Sequence, residues 1–355
     1  MKGFGSDNHA GIHPALLNAL IECNTGHAPS YGTDDYSQQA FQLFKQHFGP
    51  QTEVYFVFNG TAANVLALRF LTERYHSVIC SDISHLFLDE CGAPEFFAAK
   101  LIPVKTHMGK ISLRELNDAL VRLGDQHYSQ TQVVSLTQPT ELGTCYSLTE
   151  IKEITKWAHQ NRLQVHIDGA RLTNALIELK CTYKEMTTDS GVDIVSFGGT
   201  KNGLMMGEAI LVLNPELAKS AKLKYIRKQA AQLSSKTRFI AAQFSKYLQD
   251  NLYLEIAEHS CKMAQRLFDG LSKIPNLKIT APRQSNAVFV ILPKEWIKPL
   301  KEKYFFYVWN EKTFECRIMT SWDTTTEEVD DFILKIEATR HQQTGVSIHK
   351  KSDYL

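Results

Sequence analysis

The sequence predicts an α/β protein: a mostly parallel, helix-covered sheet in a large domain, followed by a smaller α+β domain. Three observations lead there. Short apolar runs alternate with longer helical stretches up to about residue 213. The central runs are rich in Val and Ile, as strands buried on both faces are. Beyond about residue 250 the order changes to one long helical stretch, several closely spaced strands and a final helix. In chain order, "EVYFVF" from Glu53 reads as a strand and "TAANVLALRFLTERY" as the helix after it. "SVICSD" is a strand, with a helical stretch after "SHLFLDECGAPEFF". "QVVSLT" is a strand, and "SLTEIKEITKWAHQNR" is a helix whose Ser147 and Glu150 form a capping box. "LQVHIDGA", "DIVSFGG" and "GEAILVL" complete the strands of the large domain, and Asn214 to about Leu248 reads as helical. "NLYLEIAEHSCKMAQRLFDGLSKIP" opens the smaller domain, with strands "NAVFVIL", "FFYVWN" and "CRIMTSW" and a last helix from "TEEVDDFILKI". The expected boundaries are 1–245, 246–340 and a flexible tail over 341–355.

Composition narrows the function. The chain has 355 residues and 43% hydrophobic content, enough for a large buried core. A net charge of +1 advertises no nucleic-acid surface and no acidic tail. No apolar run reaches membrane-spanning length, and "MKGFGSDNHAGIHP" has no hydrophobic signal core. Seven scattered cysteines without a C-x-x-C pair read as reduced thiols, hence a cytoplasmic protein with neither a disulfide frame nor a zinc site. No H-x-x-x-H pair falls in a plausible helix, so no metal is expected.

The chemistry collects at the expected strand ends, where open α/β sheets bind ligands. Gly60 and Thr61, in "NGTAAN", stand at a strand-to-helix turn, where free amides and the helix dipole favour a phosphate. No P-loop or G-x-G-x-x-G turn accompanies them, which removes the main support for nucleotide readings. Asp168, in "HIDGAR", ends an apolar strand beside small residues that let a flat ring approach. A carboxylate there either caps a helix or holds a pyridinium nitrogen protonated, making the ring an electron sink. His85 follows another strand and is either a loop histidine or a group set against a ring. Lys201 stands in "VDIVSFGGTKNGLMMGEAILVL", between two β-branched runs. It is either an exposed hairpin amine or one meant for a covalent bond, since burying an unpaired ammonium is costly. Phosphate cup, ring-nitrogen carboxylate, ring-facing histidine and amine together are what pyridoxal 5′-phosphate (PLP) requires.

These motifs, with "DECGAPEFF" and "CRIMTSWDT", resemble those of the low-specificity L-threonine aldolases, in the branch that includes phenylserine aldolase. The resemblance runs from Ser6 to about "DDFILKI" and implies the aspartate-aminotransferase-like fold type I. It implies Lys201 as the lysine that bonds PLP, Asp168 at the ring nitrogen, His85 on the ring face and Gly60 and Thr61 at the phosphate. It implies a small amino acid as substrate, its carboxylate gripped by Arg171 and Arg317 with Ser6 adding a hydroxyl, and His127 near the substrate hydroxyl. It further implies a homo-oligomer, a dimer of dimers with shared sites, in which Tyr31, Lys228 and Lys236 reach a neighbouring subunit's site. Where many relatives carry E-N-T-H, this chain reads "TQPTELG", with Gln138 and Glu141 and no histidine. The expected activity is retro-aldol cleavage of L-threonine and L-allo-threonine to glycine and an aldehyde, with His85, His127 or water as the base. A PLP-dependent β-eliminating lyase or aminotransferase would share every cofactor residue, and a non-catalytic binding module could keep the fold.

Overall fold

The computed structural model describes residues 3–349. Seven strands make the larger sheet: β1 (Glu53–Val57), β2 (His76–Ser81), β3 (Lys100–Val104), β4 (Gln130–Thr137), β5 (Gln164–Gly169), β6 (Ile194–Gly198) and β7 (Glu208–Val212). Their order is β1-β7-β6-β5-β4-β2-β3, and β7 alone among them runs against the others. Both β6 and β7 are buried along their whole length, as the Val- and Ile-rich runs predict. One face of the sheet packs on the helix Gly60–Leu71, through residues such as Leu66, Val78 and Ile210. The other packs on the helices Asp35–Phe48, Leu148–Gln160 and Arg238–Leu248, through Phe44, Ile154 and Phe244.

Local chemistry explains most element starts. Ser147 and Glu150 close the expected capping box at the helix Leu148–Gln160. Asn59 caps the helix Gly60–Leu71 by accepting from Ala62 N at 2.9 Å. The expected helix from Asn214 to Leu248 is instead three helices, Pro215–Ala218, Lys222–Gln229 and Arg238–Leu248. The edge strand β3 escapes the sequence pattern because Pro103 interrupts it, and an edge is where a proline is tolerated.

The second sheet is antiparallel, in the order β10-β11-β9-β8: β8 (Lys278–Ile279), β9 (Ala287–Ile291), β10 (Tyr307–Asn310) and β11 (Glu315–Met319). It packs on the helices Leu252–Leu271 and Thr326–His349 through Leu267, Val290, Ile318 and Phe332. The N-terminal segment joins this smaller core, not the larger one. Phe4 is buried in it, and its backbone bonds Phe305 O at 2.7 Å and Met319 N at 2.8 Å. That route carries Ser6 and Asp7 to the mouth between the two sheets. The expected tail from 341 is helical as far as His349, and residues 350–355 lie outside those described. All seven cysteines are free thiols. Among the described residues no helix is long and apolar enough to cross a membrane.

Candidate active site

Parallel register brings three strand ends side by side. Thr137 of β4 pairs with Asp168 of β5, which pairs with Ser196 of β6. All three line one cavity, together with Gly60, His85 and Lys201. Of the residues singled out from the sequence as a cofactor set, Gly60, His85, Asp168 and Lys201 therefore share one space.

Asp168 is 4% exposed and has no ion-pair partner among the described residues. Its Oδ2 accepts from Asn64 Nδ2 at 2.9 Å and its Oδ1 from Ala170 N at 3.0 Å. Asn64 lies one helical turn beyond Gly60 and also donates to Glu90 Oε1 at 2.8 Å. The same Glu90 oxygen lies 2.8 Å from His85 Nδ1. A chain of four side chains thus joins Asp168 to His85. The hydrogen bond to Glu90 pushes the His85 imidazole up from its ordinary value, and Asp168 adds to it. Burial pushes the Glu90 carboxyl up in turn, against the pull of His85 and Asn64.

Lys201 follows β6 on a turn that no larger residues could build. A Cβ on Gly198 would meet Ala170 O at 2.2 Å, and one on Gly199 would meet Gly207 O at 2.6 Å. Glu208, at the start of β7, accepts from Gly199 N at 2.5 Å and so pins the turn. Burial pushes the Glu208 carboxyl up to about 7. At the opposite wall Gly60 and Thr61 precede the first intrahelical bond. The cap of Asn59 engages Ala62 and Ala63. The Gly60 and Thr61 amides have no partner among the described residues. A Cβ on Gly60 would meet nothing within 4 Å. Gly60 lines that cavity, whereas the Thr61 side chain faces a separate depression beside Phe97 and Gln232. Free amides at a helix start, an uncompensated buried carboxylate and an amine across the same space fit the phosphate, ring nitrogen and aldehyde of PLP.

A cleft opens beside this cavity, lined by Ser6, His85, Arg171, Lys201, Trp309 and Arg317 among others. Arg171 is held by Asp7: Nε to Oδ2 at 2.6 Å and Nη2 to Oδ1 at 2.9 Å. Asn286 Nδ2 also donates to Asp7 at 3.1 Å. Burial alone would raise the Asp7 carboxyl, but the Arg171 charge and hydrogen bonds outweigh it and hold it below its ordinary value. Arg171 therefore reaches the cleft with one edge already occupied. Arg317, on β11, is different. Its strand neighbours Cys316 and Ile318 point into the smaller core, as alternation predicts. Its guanidinium lies 4.7 Å over the Trp309 ring and 5.7 Å over Tyr307. Nη2 donates to Gly5 O at 3.3 Å, and the buried Nε has no partner. No carboxylate pairs with it among the described residues, and burial pushes its basicity down, with Arg171 repelling it further. Ser6 Oγ accepts from Asn8 N at 3.2 Å and lines the same cleft.

Four expected residues lie elsewhere on this chain. Tyr31, Lys228 and Lys236 are exposed and line neither the cavity nor the cleft. They form one patch, with the Lys228 ammonium 5.4 Å over the Tyr31 ring and Tyr31 N bonded to Ser235 O at 3.0 Å. His127 is an exposed turn residue whose amide donates to Asp125 Oδ1 at 2.9 Å, and it lines neither space on this chain. It precedes β4, whereas the cavity lies beyond the end of that strand, roughly 25 Å of extended chain away. Asn64, Glu90, Asp7, Glu208 and Trp309 were not anticipated. The sequence signal for the first two is spacing, Asn64 four residues after Gly60 and Glu90 five after His85.

Fold and site together define a PLP-dependent enzyme of fold type I. Comparison with known proteins agrees. The model of the beta-eliminating lyase family matches residues 3–295. A low specificity L-threonine aldolase of Pseudomonas aeruginosa is 42% identical over 332 residues, covering 92% of this chain and 94% of that protein. Another, from Pseudomonas sp. (strain NCIMB 10558), is 39% identical and covers 94% and 97%. The solved structure of a Leishmania major threonine aldolase matches with a TM-score of 0.90 at 28% identity, over 95% of this chain and 99% of that one. Sphingomonas wittichii serine palmitoyltransferase, at a TM-score of 0.72 and 17% identity over 97% of this chain and 88% of that one, shares the fold alone. The chain belongs to the beta-eliminating lyase family, among the low-specificity L-threonine aldolases.

One consequence of the Asp168–Asn64–Glu90–His85 chain can be measured directly. In Glu90→Gln the anionic acceptor that favours protonated His85 is gone, while the burial that opposes protonation remains. NMR titration of the His85 ring should therefore give a midpoint below the wild-type value. An unchanged midpoint would show that Glu90 does not set the charge of His85.

Proposed function

We propose that this protein cleaves β-hydroxy-α-amino acids, L-threonine and L-allo-threonine foremost, to glycine and an aldehyde. The observation that carries this reading is the half-buried Arg317 guanidinium, its Nε buried, with no anion among the described residues and facing a cleft that opens on Lys201. An α-carboxylate supplies the missing charge, and a planar bidentate contact is what a guanidinium forms well.

The residues divide the work. Gly60 and Thr61 amides would hold the PLP phosphate, Asp168 its ring nitrogen, and Lys201 Nζ its aldehyde carbon, with His85 against the ring. When bound, PLP supplies an electron sink for a bond broken at the substrate Cα. Asp168 keeps the ring nitrogen protonated, and Asn64 keeps Asp168 in place. Arg317, with the free edge of Arg171 and the Ser6 hydroxyl, fixes the substrate carboxylate. That grip sets rotation about the N–Cα bond, so that Cα–Cβ is the bond aligned for cleavage. The Glu208 contact to Gly199 keeps the Lys201 turn from moving as the amine exchanges partners. The exposed patch of Tyr31, Lys228 and Lys236 supports an oligomer, a dimer of dimers, in which these groups complete a neighbour's site.

The discriminating experiment offers the PLP-loaded protein threonine and, separately, an amino acid with a leaving group at Cβ. Acetaldehyde and glycine from the first are expected. Pyruvate from the second, without acetaldehyde from threonine, would make the protein a β-eliminating lyase instead.

Arg317→Ala should weaken substrate far more than cofactor. Loss of a charged bidentate contact, roughly 1.5–3 kcal/mol per hydrogen bond, corresponds to about 10- to 100-fold weaker glycine binding. Turnover of threonine should fall as well, because the same contact aligns the bond to be broken. The visible absorbance of bound PLP should persist. Glycine affinity and turnover both equal to wild type would assign the carboxylate to Arg171 alone.

A further inference from the structure

Glu141 is a carboxylate of the site that none of these roles uses. It stands in the turn after β4, and that turn is closed from both sides. Thr140 N donates to Thr144 O at 2.8 Å, Gly143 N donates to Thr140 O at 2.8 Å, and the two threonine hydroxyls lie 2.7 Å apart. Thr144 Oγ1 donates to Met108 O at 2.6 Å, which ties the turn to the preceding chain. Gly143 takes a φ of +73°, which favours glycine there. The turn thus presents Glu141 at the same sheet edge as Asp168 and Lys201. Its side chain lines both the cofactor cavity and the cleft that holds Ser6, Arg171 and Arg317. The other acidic side chains of the cavity wall are engaged, Asp168 by Asn64 and Glu208 by Gly199, whereas Asp89 lines only the cleft and is exposed. No hydrogen bond or ion pair engages Glu141 among the described residues.

We propose that Glu141 is the catalytic base that takes the proton of the substrate β-hydroxyl group. The inference rests on the retro-aldol reading and supplies the one role that reading leaves open. A group that accepts this proton must reach past the gripped carboxylate toward Cβ, and Glu141 is the free acceptor at the junction of the two spaces. His85 is the competing group in the cleft. Its Nδ1 is taken by Glu90, and the same bond favours its protonated, non-accepting form. Charged groups face Glu141 from five elements: Asp168 from β5, Lys201 from the turn after β6, Arg171 ahead of the helix Leu172–Leu179, His85 from the helix His85–Leu88, and Arg317 from β11. Burial, then the Asp168 charge, push its carboxyl up against the pull of the cations. A raised carboxyl is a stronger base once ionised, and the reaction slows as pH falls through its titration.

The step balances without a further reagent. The Glu141 carboxylate takes the hydroxyl proton, and the O–H pair becomes the second bond of the aldehyde carbonyl. The Cα–Cβ bond breaks and leaves its pair on Cα, from which PLP draws density. Glu141 returns its proton to water, and Cα takes an equivalent one to give glycine.

The test compares PLP-loaded wild type, Glu141→Gln and Glu141→Asp in two reactions. One is threonine cleavage across pH. The other is exchange of the glycine α-proton for deuterium, followed by proton NMR, which needs the cofactor site but no β-hydroxyl base. In Glu141→Gln, kcat for cleavage should fall about 100-fold or more and lose its acidic limb. Glycine exchange should stay within about threefold of wild type. Glu141→Asp should retain the acidic limb at a reduced rate. Cleavage by Glu141→Gln at the wild-type rate with the same acidic limb overturns the assignment. Equal loss of cleavage and exchange in both variants also overturns it, since Glu141 would then serve the cofactor site as a whole. A wild type that exchanges glycine but releases no aldehyde from threonine overturns the retro-aldol reading instead.

Discussion

A carboxylate buried without a cation is the constraint on which the rest of the site depends. Asp168 is 4% exposed, and hydrogen bonds from Asn64 and the Ala170 amide are its protein partners. Those bonds solvate the anion but do not neutralise it, and an uncompensated buried charge is expensive. A protonated pyridine nitrogen would supply the missing charge. The surroundings follow from that requirement. Ala170, a small residue, lines the cavity beside Asp168, and the helix at Gly60 offers free amides for a phosphate. Lys201 is placed on a turn that only glycines at 198 and 199 permit.

A second imbalance of charge lies in the cleft. Arg171 is neutralised by Asp7, whereas Arg317 has aromatic rings and one carbonyl but no anion among the described residues. The two arginines are near enough for the Arg171 charge to push the basicity of Arg317 down, and an anion between them would relieve that repulsion. The site is therefore prepared for two ligand charges of opposite sign: a ring cation against Asp168 and a carboxylate against Arg317. An amino acid joined to PLP carries both. This pairing restricts the chemistry to amino-acid substrates more tightly than the fold does, since the same fold serves other reactions.

Much of this was legible in the sequence because strand ends announce themselves. "HIDGAR" and "SFGGTKNG" each close an apolar run with small residues, so Asp168, Lys201 and Gly60 could be set on one sheet edge before any contact was known. What stayed hidden depends on contacts between distant segments. Asn64 meets Asp168 across 104 residues and Glu90 across 26, and Asp7 meets Arg171 across 164. No local pattern encodes such partners. His127, named from the resemblance alone, precedes β4 and so stands at the opposite end of the sheet from this chain's own cavity. β3 was missed because Pro103 disguises an edge strand, and β8 because two residues carry no periodicity.

The central claim is that Lys201 is the amine that binds PLP opposite Asp168. Its most direct measurement is borohydride reduction of the PLP-loaded protein, followed by proteolysis and mass spectrometry of the labelled peptide. Reduction makes the lysine–cofactor bond permanent and so marks the residue that formed it. The account predicts a single pyridoxyl label on Lys201. A label on Lys228, Lys236 or any other lysine, or an unlabelled protein that still cleaves threonine, would contradict it.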